Sequence, residues 1–220
     1  MFIKTAALKK LMKDALKRSG LVVGNVNQHY LVYTDSWGAY IGDLYASNKF
    51  KAAIMELIGD LPEQDECYHY AAQNKTLAQE TVMDYPNPYR LWMEAKDPAV
   101  ITPMGLMAWP HTYTVVQRKS DLAFLTVKNA LVENIISESE LEKDESMPGR
   151  PNLLGATLYF KNESGIWWAA TETAGHKVEE ALFPQMEGLD FFEDSWLVKK
   201  EEAGKETEET GEADEEPLPY

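Results

Sequence analysis

One cysteine, four histidines and no long apolar run characterise this 220-residue chain by what it lacks. A lone Cys67 cannot form an internal disulfide, so nothing implies an oxidising compartment. The first ten residues are basic but carry no apolar stretch of signal-peptide length, and no segment approaches the ~20 apolar residues of a membrane span. A soluble cytoplasmic protein with no membrane association is expected. His29, His69, His111 and His176 are scattered, and only Cys67 and His69 are close in sequence. Zinc needs three or four ligands at recognisable spacings, so no metal site is expected. Ser164 and Ser195 lie in no G-x-S-x-G elbow, and no glycine-rich phosphate loop precedes a helix. Asp60, Glu63, Asp65 and Glu66 crowd a polar turn, and the acids between 138 and 145 form a charge run. With no catalytic residue and no cofactor motif, the expectation is a binding protein rather than an enzyme.

Positive charge is also scarce. Lys and Arg number 21 against 36 Asp and Glu, a net charge of −15. That excludes a general nucleic-acid coat, which needs basic surface. The imbalance is unevenly distributed, however. Residues 201–216 hold nine acids and one base, a net of −8, which leaves −7 for the remainder. Residues 1–20 run the other way, with Lys4, Lys9, Lys10, Lys13, Lys17 and Arg18 against Asp14, a net of +5.

The same opening segment has the clearest helical period. Leu8, Leu11, Met12, Ala15 and Leu16 fall on one stripe, predicting a helix over 5–19 that Gly20 stops. At 3.6 residues per turn, Lys9, Lys10, Lys13 and Lys17 occupy an arc of about 100° opposite that stripe. Point charges on a rigid helix face can touch phosphates without reading bases. Those four lysines are therefore the candidate DNA-facing residues.

Beyond Gly20 the pattern becomes one of strands: 21–26, 30–34 and 37–41, followed by a helix capped by Ser47 or Asn48. In 62–111 a strand at 67–72 is followed by Pro86, Pro88, Pro98, Pro103 and Pro110, which predict a loop-rich crossover. Hairpins are expected at 112–127 and 153–171, helical segments at 129–136 and 176–183, and an acidic solvated loop or frayed helix end at 137–146. From Lys199 onward apolar residues nearly vanish, predicting a disordered acidic tail. The fold class is then α+β, with two halves of helix and antiparallel sheet, residues 1–105 and 106–198, and a tail over 199–220. Trp167 and Trp168 are neighbours on a predicted strand and point to opposite faces. Both rings are buried only if a helix layer or a partner subunit covers each face.

Three resemblances bear on function. The opening Ile3-Lys4-Thr5-Ala6-Ala7-Leu8-Lys9 and the run Glu56-Leu57-Ile58-Gly59-Asp60-Leu61-Pro62-Glu63 resemble small uncharacterised phage and prophage proteins of Gram-positive bacteria. Gly188-Leu189-Asp190-Phe191-Phe192 resembles the peptide by which bacterial replication and repair proteins dock on the sliding clamp. Leu189, Asp190 and Phe192 match it, Phe191 replaces a leucine, and the leading glutamine is absent. The acidic body, lysine-rich helix and paired halves themselves resemble a subunit of a DNA sliding clamp. That likeness implies non-sequence-specific DNA binding through Lys9, Lys10, Lys13 and Lys17, a homo-oligomer joined at edge strands, and a role as a replication accessory factor. The sequence departs from the clamp pattern in its proline-rich centre and in having no second basic helix. A different expectation follows from the acidic tail: a phage-type inhibitor or adaptor that binds a host protein by presenting carboxylates where phosphates would lie.

Overall fold

A computed structural model describes residues 1–73 and 76–193, and residues 1–187 form a compact unit. Its centre is one eleven-stranded antiparallel sheet in the order β5-β4-β1-β2-β3-β11-β10-β9-β6-β7-β8. The strands are β1 Leu21–Val26, β2 His29–Tyr33, β3 Trp37–Gly42, β4 Glu66–Gln73, β5 Thr76–Thr81, β6 Asp97–Ala108, β7 His111–Arg118, β8 Phe124–Lys128, β9 Asn152–Leu154, β10 Thr157–Lys161 and β11 Gly165–Ala170. Four helices accompany them: α1 Thr5–Arg18, α2 Asn48–Ile58, α3 Pro88–Glu94 and α4 His176–Leu182. The α+β class is as expected. The division after residue 105 falls inside β6, and residues 194–220, including the acidic run, lie outside the described residues.

Side-chain alternation sorts the core into two layers. On one face Leu21 and Val23, Tyr30 and Val32, Trp37, Ala39 and Ile41, Leu158 and Phe160, and Trp167 pack with Leu8 and Met12 of α1 and Phe50 and Ile54 of α2. Their neighbours Val26, Leu31, Tyr40, Tyr159 and Ile166 face the other way, against Tyr85 and, on α3, Leu91 and Trp92. Covering both faces explains the strands' continuous apolar runs and resolves the tryptophan pair. Trp167 is fully buried and its Nε1 donates to the Leu131 carbonyl at 2.8 Å. Trp168 lies on the opposite face, across the bare backbone of Gly38, where a Cβ would come within 2.0 Å of the indole.

Three expected segments differ. The stretch 62–111 holds two strands of a hairpin, a helix and the longest strand of the sheet, because its prolines occupy positions that tolerate them. Pro88 opens α3 behind the Asn87 cap, Pro103 sits in the irregularity that shifts the β6–β7 register between Ile101 and Gly105, and Pro110 is in the β6–β7 turn. The stretch 129–136 has one 3-10 turn, Asn129–Leu131, and no α-helix. Its backbone is engaged elsewhere: the Leu131 carbonyl accepts from Trp167, and the Ile135 carbonyl from Lys4 N–H at 2.8 Å. Leu131, Val132 and Ile135 are buried, so a helix-like apolar spacing here serves an irregular core segment. The expected strand 153–161 is likewise broken by Gly155 into β9 and β10.

α1 has no local N-cap, since Lys4 precedes it without a side-chain hydrogen bond. Glu140, brought from the 3-10 turn Glu138–Glu140, takes that role by accepting from Thr5 N–H at 3.1 Å and from the Thr5 hydroxyl, and it pairs with Lys49 at 2.8 Å. Burial raises the Glu140 pKa, but Lys49 and the two Thr5 donors outweigh it, leaving the carboxyl below its ordinary value. A lowered folded pKa gives stability that is complete above the unfolded value near ~4.3 and lost as pH falls through the folded one. Glu140→Gln should therefore cost about 1 kcal/mol at neutral pH. It should also flatten the acid limb of the stability curve, read by urea melts between pH 7 and pH 3. An acid limb unchanged by the substitution would contradict this capping role.

Candidate nucleic-acid interface

α1 is placed by its apolar stripe. Thr5, Leu8, Met12, Ala15 and Leu16 are buried against the sheet, which turns the opposite arc to solvent. Gly20 ends the helix with φ at +90°, a conformation open to glycine, and the tight space beside His69 reinforces that choice: a Cβ would meet the imidazole at 2.1 Å. The chain then enters β1 directly beneath the helix.

The four lysines do not share one environment. Lys9 is half-buried and ion-paired with Glu56 of α2, so it ties the two helices together. Lys10, Lys13 and Lys17 are exposed, and among the described residues none has a carboxylate partner. Lys13 and Lys17 border a shallow groove of about 260 Å³ shared with Leu57 and with Thr76 and Leu77 of β5. Lys10 lies on the other flank of α1, at a cavity of about 590 Å³. From Lys10 to Lys17 the helix rises about 10 Å, a distance over which successive phosphates of one strand can be met.

The larger cavity adds residues that the sequence pattern did not single out. Its walls include Arg18 from the last turn of α1, Lys128 at the end of β8, His111 at the start of β7 and the acid Asp14, over a floor that includes Trp37 and Leu131. Arg18 is exposed and, among the described residues, without an acidic partner, whereas Lys128 is held by Glu172 at 2.8 Å. Arg18 was visible in sequence as part of the +5 segment. His111 and Lys128 come together with it only through the pairing of β7 with β8, which no local signal announces.

The candidate docking residues Leu189, Asp190, Phe191 and Phe192 belong to a second unit that begins at Gly188. Residues 188–193 are described as a turn in which Asp190 Oδ1 accepts from Phe192 N–H at 2.8 Å. Leu189 is exposed, while Asp190, Phe191 and Phe192 are half-buried. Cys67 is buried in β4, and burial pushes its thiol up to about 11, so it carries no thiolate at neutral pH. Among the described residues no three of His, Cys, Asp and Glu converge as metal ligands, and no helix is long and apolar enough to cross a membrane.

The sheet's two edges are unequal. At β8, Glu172 N–H donates to the Thr126 carbonyl at 2.9 Å, so that edge is covered from within the chain. At β5, among the described residues, the ladder to β4 supplies hydrogen bonds on one side only. The Val82 N–H bond to the Cys67 carbonyl fixes the phase of this antiparallel ladder, so Leu77, Gln79 and Thr81 aim their backbone groups outward. Comparison with family models, with curated proteins and with solved structures found no match to this chain.

Proposed function

We propose that the chain is a non-enzymatic binding protein that lies against duplex DNA through α1, as a sliding-clamp-like replication accessory factor. The observation that carries this reading is the exposure of Lys10, Lys13 and Lys17, unpaired among the described residues, on a helix packed against a broad antiparallel sheet. Contacts of this kind neutralise phosphates without reading sequence. Lys9 supports the helix pair and contributes less to DNA. In this reading α1-β1-β2-β3-α2-β4-β5 is one clamp-like half, and the strands from β6 onward form the other. The acidic-mimic expectation draws on residues 201–216, which lie outside the described residues.

Two measurements test the proposal together. Fluorescence anisotropy with a labelled duplex should show binding that weakens steeply with salt, and light scattering should give a dimer or trimer. A monomer without salt-sensitive DNA binding would contradict it.

The edge of β5, unpaired among the described residues, is where subunits would join, since such a strand without proline or lysine offers a template for pairing. Gln79→Pro removes an outward N–H while sparing the β4 ladder. It should convert the oligomer to monomer in light scattering with the circular-dichroism spectrum unchanged. An unaltered oligomer would place the interface elsewhere.

A further inference from the structure

Between Asp97 and Arg118 the chain has twenty consecutive residues, 98–117, without a Lys, Arg, Asp or Glu. They make up most of the β6–β7 hairpin, whose end carries an unusually exposed apolar pair: Met107 is 81% and Trp109 93% accessible. An indole so exposed contributes little to the core. It sits instead in the two-residue turn between β6 and β7. Trp109 is two residues from His111, which lines the same 590 Å³ cavity as Lys10 and Arg18.

A basic groove next to an exposed aromatic is the combination that holds unpaired nucleotides. Cations take the phosphates, and any base can stack on the ring because every base has a π face. A duplex already stacks its bases internally and gains nothing from such a ring unless it is unwound. We propose that the cavity lined by α1, Trp37, His111 and Lys128 binds single-stranded nucleic acid, with phosphates at Lys10 and Arg18 and a base that reaches past His111 to stack on Trp109. The inference rests on the DNA-binding reading above and specifies a second, single-stranded contact on the flank of α1 away from Lys13 and Lys17. Its apolar floor, which includes Leu131 and Trp37, suits a base or sugar better than a free phosphate ion. Asp14 at the wall keeps the site from being a purely cationic trap.

The test uses the full chain with a labelled oligothymidylate and a labelled oligouridylate of about 20 nucleotides, and a duplex as reference. Wild type should bind one or both single strands. Trp109→Ala should weaken that binding by about ten- to a hundredfold while leaving duplex affinity within about twofold, and Trp109→Phe should restore most of the loss. Because Trp109 is exposed, these variants should keep the wild-type circular-dichroism melt. Lys10→Ala with Arg18→Ala should weaken single-strand binding and reduce its salt dependence. Duplex binding without single-strand binding would overturn this inference and leave the duplex reading intact, and binding of neither would overturn both. Equal single-strand affinity in wild type and Trp109→Ala would remove the stacking contact and with it the inference.

Discussion

Trp167→Ala should cost about 3–5 kcal/mol of folding stability, a large part of the ~5–15 kcal/mol that holds a typical domain together. Three losses combine at this residue. The indole is fully buried, so its removal leaves a cavity at the centre of the sheet. It stacks on Trp37 with ring centroids 5.7 Å apart, which loses its partner. Its Nε1 is the donor to the Leu131 carbonyl at 2.8 Å, and that carbonyl belongs to the irregular 131–136 segment. Urea denaturation followed by circular dichroism should show the midpoint falling by more than about 1 M. Trp167→Phe separates the terms: it keeps most of the packing but strands the carbonyl, and should cost about 1–3 kcal/mol. A shift for Trp167→Ala no larger than for a surface substitution would mean that the sheet's centre is not held as described.

The contrast between Trp167 and Trp109 shows how much could be read before the fold was known. Adjacent tryptophans on a strand implied covered faces on both sides, and the structure supplies α1 and α2 on one and α3 with Tyr85 on the other. Period and capping signals placed α1 at 5–19 against Thr5–Arg18, matched β1, and offered Ser47 or Asn48 as the cap of α2, of which the structure uses Ser47, whose hydroxyl accepts from Phe50 N–H at 3.2 Å. These features are local, and local chemistry decides them. What failed depended on distant partners. Pro103 discouraged a strand assignment that the β6–β7 irregularity accommodates, and 129–136 had a helix's apolar spacing but uses its carbonyls for Trp167 and Lys4.

The site was legible to a similar extent. The lysine arc follows from helical geometry alone. That Lys9 is drawn away to Glu56 follows from the placement of α2, forty-seven residues on. The grouping of Arg18, His111 and Lys128 around one cavity depends on sheet order, as does the β5 edge, unpaired among the described residues. The uncharged stretch 98–117 was present in the sequence, but only the hairpin turns it into an exposed indole two residues from His111 of that cavity.

Replacing Lys10, Lys13 and Lys17 together by Ala should remove most of the salt-sensitive affinity for duplex DNA without destabilising the fold. The three side chains are exposed and make no ion pair among the described residues, so their removal breaks no internal contact, and alanine favours the helix. Each phosphate they neutralise contributes about 0.9 to the slope of log affinity against log salt, so three contribute ~2.7. Between 50 and 200 mM salt that slope corresponds to about a 40-fold change in affinity. Lys9→Ala, by contrast, should alter the slope by less than about 0.3, because its ammonium is already engaged by Glu56. The decisive measurement is the salt titration of duplex binding by wild type and the triple variant in parallel, with melting curves as the control for folding. The α1 surface predicts a slope reduced by two to three units, about one per lysine, with an unchanged melt; identical slopes for the two proteins would contradict it.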